Sequence, residues 1–180
     1  MRILVTGASG SGATTVGQTL AKRFNFSFLD ADDYFWLPSH PPFQFKRDRL
    51  LRLSLILADL TSATTGAVVS GSIVDWGIEL EDSFSFIVFL TVPAPIRIER
   101  LRARELSRFG RADPKFLEWA AQYDQGYMEG RSLIKHERWL SAQKCRVLRI
   151  DGDVALEDRI ERILQALSES HGVRPFPSDK

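Results

Sequence analysis

The sequence predicts an α/β fold, a five-stranded parallel sheet with helices on both faces. Three observations carry this. Apolar, β-branched runs recur at residues 3–6 and in "FSFLDADD", "GAVVSGS", "FSFIVFLTVP" and "CRVLRIDGD". Between them lie stretches whose apolar residues recur at helical spacing, and such alternation packs as a parallel sheet between helical layers. The residues with chemistry to offer also cluster directly after the strands, where parallel sheets open a ligand crevice.

The first strand, "RILVTG", runs into the glycine-rich stretch "TGASGSGATTVG". A helix follows over residues 14–24, with Val16, Leu20 and Phe24 in register. The second strand ends in acids and leads into a loop rich in proline and aromatics, "YFWLPSHPPFQF". Residues 47–62 read as a helix with Leu50, Leu53, Leu57 and Leu60 on one face. "GAVVSGS" and "FSFIVFLTVP" are the third and fourth strands, the latter stopped by Pro93. A basic helix covers residues 95–109, and an aromatic-rich, mostly helical stretch covers 115–140 with breaks near Gly126 and Gly130. The fifth strand places Cys145 in a buried position, and an amphipathic helix over 156–167 closes the fold.

Composition narrows the function classes. At 180 residues with 44% apolar and 26% charged, the chain reads as one folded domain over 1–170 with a frayed tail at 171–180. A net charge of +1 gives no general attraction for nucleic acid or an anionic membrane. Cys145 alone excludes an internal disulfide and fits a reducing compartment. The apolar start is too short for a signal-peptide core, and no run is long enough for a membrane helix. The expectation is a cytoplasmic protein without nucleic-acid or membrane partners, acting on a small molecule.

The glycine stretch carries the first functional reading. Gly7, Gly12 and Thr14 occupy their places in the phosphate-loop pattern G-x-x-x-x-G-K-[ST], but Ala13 stands where the lysine belongs. Backbone amides of Gly7, Ala8, Ser9, Gly10, Ser11, Gly12, Ala13, Thr14 and Thr15, with the helix start behind them, form an anion cradle that needs no lysine. The Thr14 hydroxyl is placed for Mg²⁺. The lysine's charge against the terminal phosphates is lost, so another cation must supply it or transfer is slow. A rival reading is the dinucleotide loop G-x-x-G-x-x-G of NAD(P)-binding reductases. Gly7 and Gly10 fit it, but the third glycine falls at Gly12, and no Y-x-x-x-K pair exists; the nearest is Tyr127 with Arg131.

Asp30, Asp32 and Asp33 follow the second strand, and carboxylates there can align an attacking hydroxyl and approach Mg²⁺. Aspartates are also common in plain surface turns. Tyr34 and Trp36 could wall an acceptor; Phe35 reads as core. Arg97, Arg100, Arg104, Arg108 and Arg111 fall within an arc of roughly 80° on a continuous helix, a row of like charges with an anion to hold or a solvated face. Arg47, with Lys46, Arg49 and Arg52, forms a second basic group able to meet an acceptor phosphate. The histidines His40, His136 and His171 are scattered and show no metal-ligand or nucleophile spacing.

Several of these segments together resemble one family. "DDYFWLP" looks like the D-D-F-F-K-P stretch of nicotinamide riboside and uridine kinases. "FLTVPAPIRIERLRARE" and "LRIDGDVALEDRIERI" are similar to their strand–proline–arginine helix and their closing strand, D-G turn and helix. The broader resemblance is to P-loop nucleoside and nucleotide kinases, adenylate kinase-like proteins included. It implies a three-layer P-loop NTPase fold with a helical lid over about residues 97–130. It also implies an enzyme that moves the γ-phosphoryl group of ATP, with Mg²⁺, to a nucleoside- or nucleotide-like acceptor. Asp32 would be the catalytic base, and Asp151 with Gly152 would lie beside the adenine. Arg100, Arg104 and Arg108 would close over ATP, with Arg100 or Arg104 supplying the charge that Ala13 lacks. Ser70 replaces an acidic Mg²⁺ residue, so Asp33 or Asp75 would join Thr14 on the metal. A nucleotide-binding protein that no longer catalyses is the alternative that Ala13 and Ser70 support.

Overall fold

The computed structural model describes residues 1–126 and 131–171. Strands β1 (Arg2–Gly7), β2 (Ser27–Asp30), β3 (Ala67–Ser70), β4 (Phe86–Thr91) and β5 (Arg146–Asp151) form one sheet in the order β2-β3-β1-β4-β5. All four pairings are parallel, with Val5 opposite both Ser70 and Val88. The helices are α1 (Ala13–Phe24), α2 (Ala31–Phe35), α3 (Arg49–Ser62), α4 (Ile78–Glu81), α5 (Ala94–Phe109), α6 (Pro114–Ala121), α7 (Leu133–Ser141) and α8 (Leu156–His171). A single 3-10 turn, Gln122–Gln125, joins the α6 end. The five-stranded parallel α/β architecture expected from the sequence is the one observed.

The strand period of two divides the core. Ile3 and Val5 of β1, with Phe86, Val88 and Leu90 of β4, face α1 and α8. Leu4, Ile87 and Phe89 face α3 and α7 on the other side. Both faces are therefore covered, and near-continuous apolar runs become strands buried on two sides. A third, smaller cluster of Leu101, Leu117 and Ala120 lies between α5 and α6. The strand order sets β3 between β2 and β1, whereas the dinucleotide fold runs 3-2-1-4-5-6. The NAD(P)-reductase reading is thereby set aside.

Several element expectations need correction. The second strand stops at Asp30, because the Asp30 carboxylate accepts the Asp32 N–H at 3.0 Å and caps α2. Asp32 and Asp33 are thus helical, and "YF" ends that helix rather than opening a loop. On α3 the expected face of Leu53, Leu57 and Leu60 does pack against the core, joined by Ile56, but Leu50 at its start is 75% exposed. Asp48 sets the start of α3 by accepting the Leu50 and Leu51 N–H groups at 2.9 and 3.0 Å. The short helix α4 was not legible from apolar spacing. β5 pairs only with β4, so of its residues only Ile150 is buried, and Cys145 precedes the strand half-buried. Tyr127, Gly130 and residues 172–180 of the expected tail lie outside the described residues; His171 closes α8. Among the described residues no helix is long and apolar enough to cross a membrane.

Candidate active site

The loop between β1 and α1 turns on its glycines. Gly10 and Gly12 have φ of +83° and +92°, and a Cβ at Gly10 would lie 2.7 Å from the Arg97 carbonyl oxygen. Only glycine adopts that backbone so close to another chain segment. The Ser11 N–H donates to the Ala8 carbonyl at 3.0 Å, and the first intrahelical donor of α1 is Val16, to Gly12 at 3.0 Å. Gly12 caps the helix without a side chain. The amides of Ala13, Thr14 and Thr15 therefore have no acceptor within the helix, at the positive end of a 12-residue dipole. The cradle fits a phosphate chain.

Two guanidiniums take up the loop's carbonyls. Arg97 of α5, fully buried, donates from Nη1 to Ser9 at 3.4 Å and to Ala120 at 3.2 Å, from Nε to Val92 at 2.8 Å, and pairs with Asp124 at 2.8 Å. Arg159 of α8 donates from Nη1 to the Ser11 carbonyl at 2.7 Å and from Nη2 to Gly152 at 3.4 Å.

At the end of β2, Asp30 is shared between two tasks. One oxygen caps α2; the other accepts the Thr14 hydroxyl at 3.2 Å. Burial pushes the Asp30 carboxyl above its ordinary range, and the charges of Asp32 and Asp33 add to the rise. A carboxylate and a hydroxyl held together beside a phosphate cradle fit Mg²⁺, which takes one or two protein oxygens and fills its shell with phosphate and water. The structure puts Asp30, not Asp33, against Thr14. Asp33 is exposed on α2, and its carbonyl accepts Arg47 at 3.5 Å. Ser70 is fully buried, and its hydroxyl has no partner among the described residues.

Asp32 stands one helical step on and accepts Arg131 Nη2 at 3.0 Å, with 43% of its side chain exposed. Arg131 directly precedes Ser132, the N-cap of α7. That helix is locked by His136, whose Nε2 lies 3.0 Å from the Ser72 hydroxyl after β3 and whose Nδ1 lies 2.6 Å from the Tyr123 hydroxyl. Burial, aided by Arg131, lowers the His136 pKa to about 4, so the ring is neutral.

The remaining expected site residues are distributed otherwise. The Tyr34 hydroxyl donates to Asp59 at 2.5 Å, so Tyr34 fastens α2 to α3 instead of walling an acceptor. Arg47 spends its donors on the carbonyls of Tyr34 at 2.9 Å and Trp36 at 3.4 Å, bracing the loop rather than offering a phosphate site. Trp36 packs edge-on against Phe35 and Phe43. The arginine row divides: Arg97 is structural, Arg100 meets Asp153 at 2.5 Å, Arg104 meets Glu105 at 3.6 Å, and Arg108 and Arg111 are exposed. Asp151 accepts the Thr91 hydroxyl, and the Gly152 N–H donates to the Thr91 carbonyl at 2.8 Å. An open cleft of about 480 Å³ lies between the start of α1 and the β5–α8 turn, lined by Gly12, Thr15 and Val16 opposite Arg100, Asp153 and Arg159. Asp153, rather than Asp151, is the acid that lines it.

Arg131, Asp153, Arg159 and the Ser72–His136–Tyr123 chain were missed from the sequence. Arg159 left a signal, since it lies on the apolar stripe of Leu156, Ile160, Ile163 and Leu167. Arg131 left none; nothing local ties it to an aspartate 99 residues away.

A model of the AAA domain family matches residues 3–112. The chain belongs to the AAA domain family. Uncharacterized protein YqaC of Bacillus subtilis (strain 168) is 39% identical over 178 residues, covering 93% of this chain and 98% of that protein. A probable gluconokinase of Xenopus tropicalis is 56% identical over 34 residues, 19% of this chain and 18% of that protein. Among solved structures, a gluconokinase from Sinorhizobium meliloti 1021 superposes with a TM-score of 0.62 at 22% identity, covering 95% of this chain and 93% of that one. A shikimate kinase from Acinetobacter baumannii, in complex with shikimate, superposes with a TM-score of 0.58 at 18% identity over 94% of both chains. The fold is that of the P-loop small-molecule kinases, as the sequence resemblance implied.

Proposed function

We propose that this protein transfers the γ-phosphoryl group of ATP to a hydroxyl of a small acceptor, and that the acceptor is a hydroxylated organic acid. The observation that carries the reading is the Asp32–Arg131 pair at 3.0 Å, at the same strand ends as the Thr14–Asp30 pair and the amide cradle. The amides of Ala13, Thr14 and Thr15 would hold the phosphates. Thr14 and Asp30 would hold Mg²⁺, which would supply positive charge to the phosphates. Asp32 would align the acceptor hydroxyl and take its proton as the oxygen bonds to the γ-phosphorus and the bridge to ADP breaks. Arg131 orients Asp32 and has donors for an acceptor carboxylate, which suits a planar fork. The gluconokinase and shikimate kinase likenesses point to the same acceptor class. A nucleoside or nucleotide acceptor, implied by the sequence resemblance, belongs in the same assay.

The test is ADP release from Mg·ATP across a panel of sugar acids, cyclic hydroxy acids, nucleosides and nucleoside monophosphates. Turnover is expected with an acid and is expected to fall at least about 100-fold in Asp32→Asn with ADP affinity retained. Binding of Mg·ATP without turnover on any acceptor would leave the nucleotide-binding, non-catalytic reading in its place.

A further inference from the structure

The loop lacks its lysine, yet a guanidinium already rests on it. Arg159 is only 5% exposed at its side chain. Its Nη1 donates to the Ser11 carbonyl at 2.7 Å and lies 3.1 Å from where a Cβ on Gly12 would sit, so the bare glycine leaves it room. Among the described residues its buried Nε has no partner. It lines the cleft beside Gly12, Thr15 and Arg100. Arg100 and Arg159 both lean on a single carboxylate, Asp153, at 2.5 and 3.8 Å. Two cations against one acid leave a net positive charge facing the open helix start. Burial and the charge of Arg100 both act against the charged form of Arg159, the stress an incoming anion relieves.

We infer that Arg159 supplies the fixed positive charge for the nucleotide's phosphates that Ala13 cannot, reaching the loop from α8. This rests on the reading of the loop as a nucleotide site. Because Ser11 and Gly152 anchor the guanidinium, it cannot follow the γ-phosphoryl group as a flexible lysine would. It is a positioning residue that favours bound nucleotide before and during transfer alike, so its loss raises KM for ATP and leaves kcat nearly unchanged.

The experiment is calorimetric titration of adenosine, ADP and ATP into the wild type, Arg159→Gln and Arg159→Lys. Glutamine keeps a donor for the Ser11 carbonyl but removes the charge. ADP and ATP affinity is expected to fall about 10- to 100-fold in R159Q, with adenosine within twofold, and to recover in large part in R159K. Equal loss for all three ligands, or no loss, overturns the inference. Should R159Q fail to fold, Asp153→Asn carries the test with opposite sign: both guanidiniums stay, their counter-charge goes, and ADP affinity rises several-fold while adenosine's does not. An unchanged ADP affinity in D153N overturns it equally. A wild type that binds adenosine, ADP and ATP not at all overturns the nucleotide reading itself, and this inference with it.

Discussion

Replacing Arg97 by methionine tests whether this buried guanidinium holds the fold and the loop together. Arg97 is fully buried. Its strongest contacts are to the carbonyls of Val92 at 2.8 Å and Ala120 at 3.2 Å and to Asp124 at 2.8 Å, with the Tyr123 ring 5.3 Å away. The contact to Ser9 at 3.4 Å is long and counts for little. Asp124 is 42% exposed, so water can replace its partner. The cost then falls mainly on two buried carbonyls, each worth about 1–3 kcal/mol when left unpaired. Methionine fills much of the volume and removes a buried charge, which offsets part of this. A net loss of about 2–4 kcal/mol follows. For a chain of this size that is a fall of about 4–16 °C in Tm. Urea unfolding followed by tryptophan fluorescence measures it. A loss under about 1 kcal/mol would refute the bonding analysis.

Gly10→Ala should cost at least about 2 kcal/mol, from its left-handed backbone and a Cβ 2.7 Å from the Arg97 carbonyl, and should abolish ADP binding by calorimetry. For His136, the folded pKa near 4 lies below the unfolded 6.5, so the unfolded state binds more protons between them. Stability should therefore fall as pH drops from about 6.5 towards 4, by on the order of 3 kcal/mol in all. His136→Gln should flatten that part of the urea-unfolding profile; an unchanged slope would place the titration elsewhere. Arg131→Met should raise the acceptor KM more than the ATP KM in steady-state assays, since Arg131 bonds Asp32 and not the loop.

Much of the fold was legible because its signals are local. The five strands are contiguous apolar runs, the α1 helix has Val16 and Leu20 at helical spacing, and the glycine loop needs backbone freedom that few other sequences allow. The same locality explains the errors. Asp32 and Asp33 were read as the end of the second strand because the Asp30 cap that turns them into α2 depends on where that helix begins, and α4 is too short for periodicity to register. On α3 the leucine face was read correctly from Leu53 to Leu60, but Leu50 lies beyond the reach of the sheet and is exposed.

Residue types and spacing alone thus determined the strands and helices of an α/β fold and a glycine-rich loop without a lysine at the start of α1, since each is a property of consecutive residues. Which carboxylate stands on Thr14, which arginine braces the core and which lines the cleft were decided only by tertiary structure. Arg97 and Arg100 are three residues apart on one helix, yet one is sealed against Val92 and the other reaches Asp153. Arg131 and Arg159 come to the site from the last third of the chain. A guanidinium's role follows from what it is packed against, and the sheet order and the seating of α7 and α8 set those neighbours.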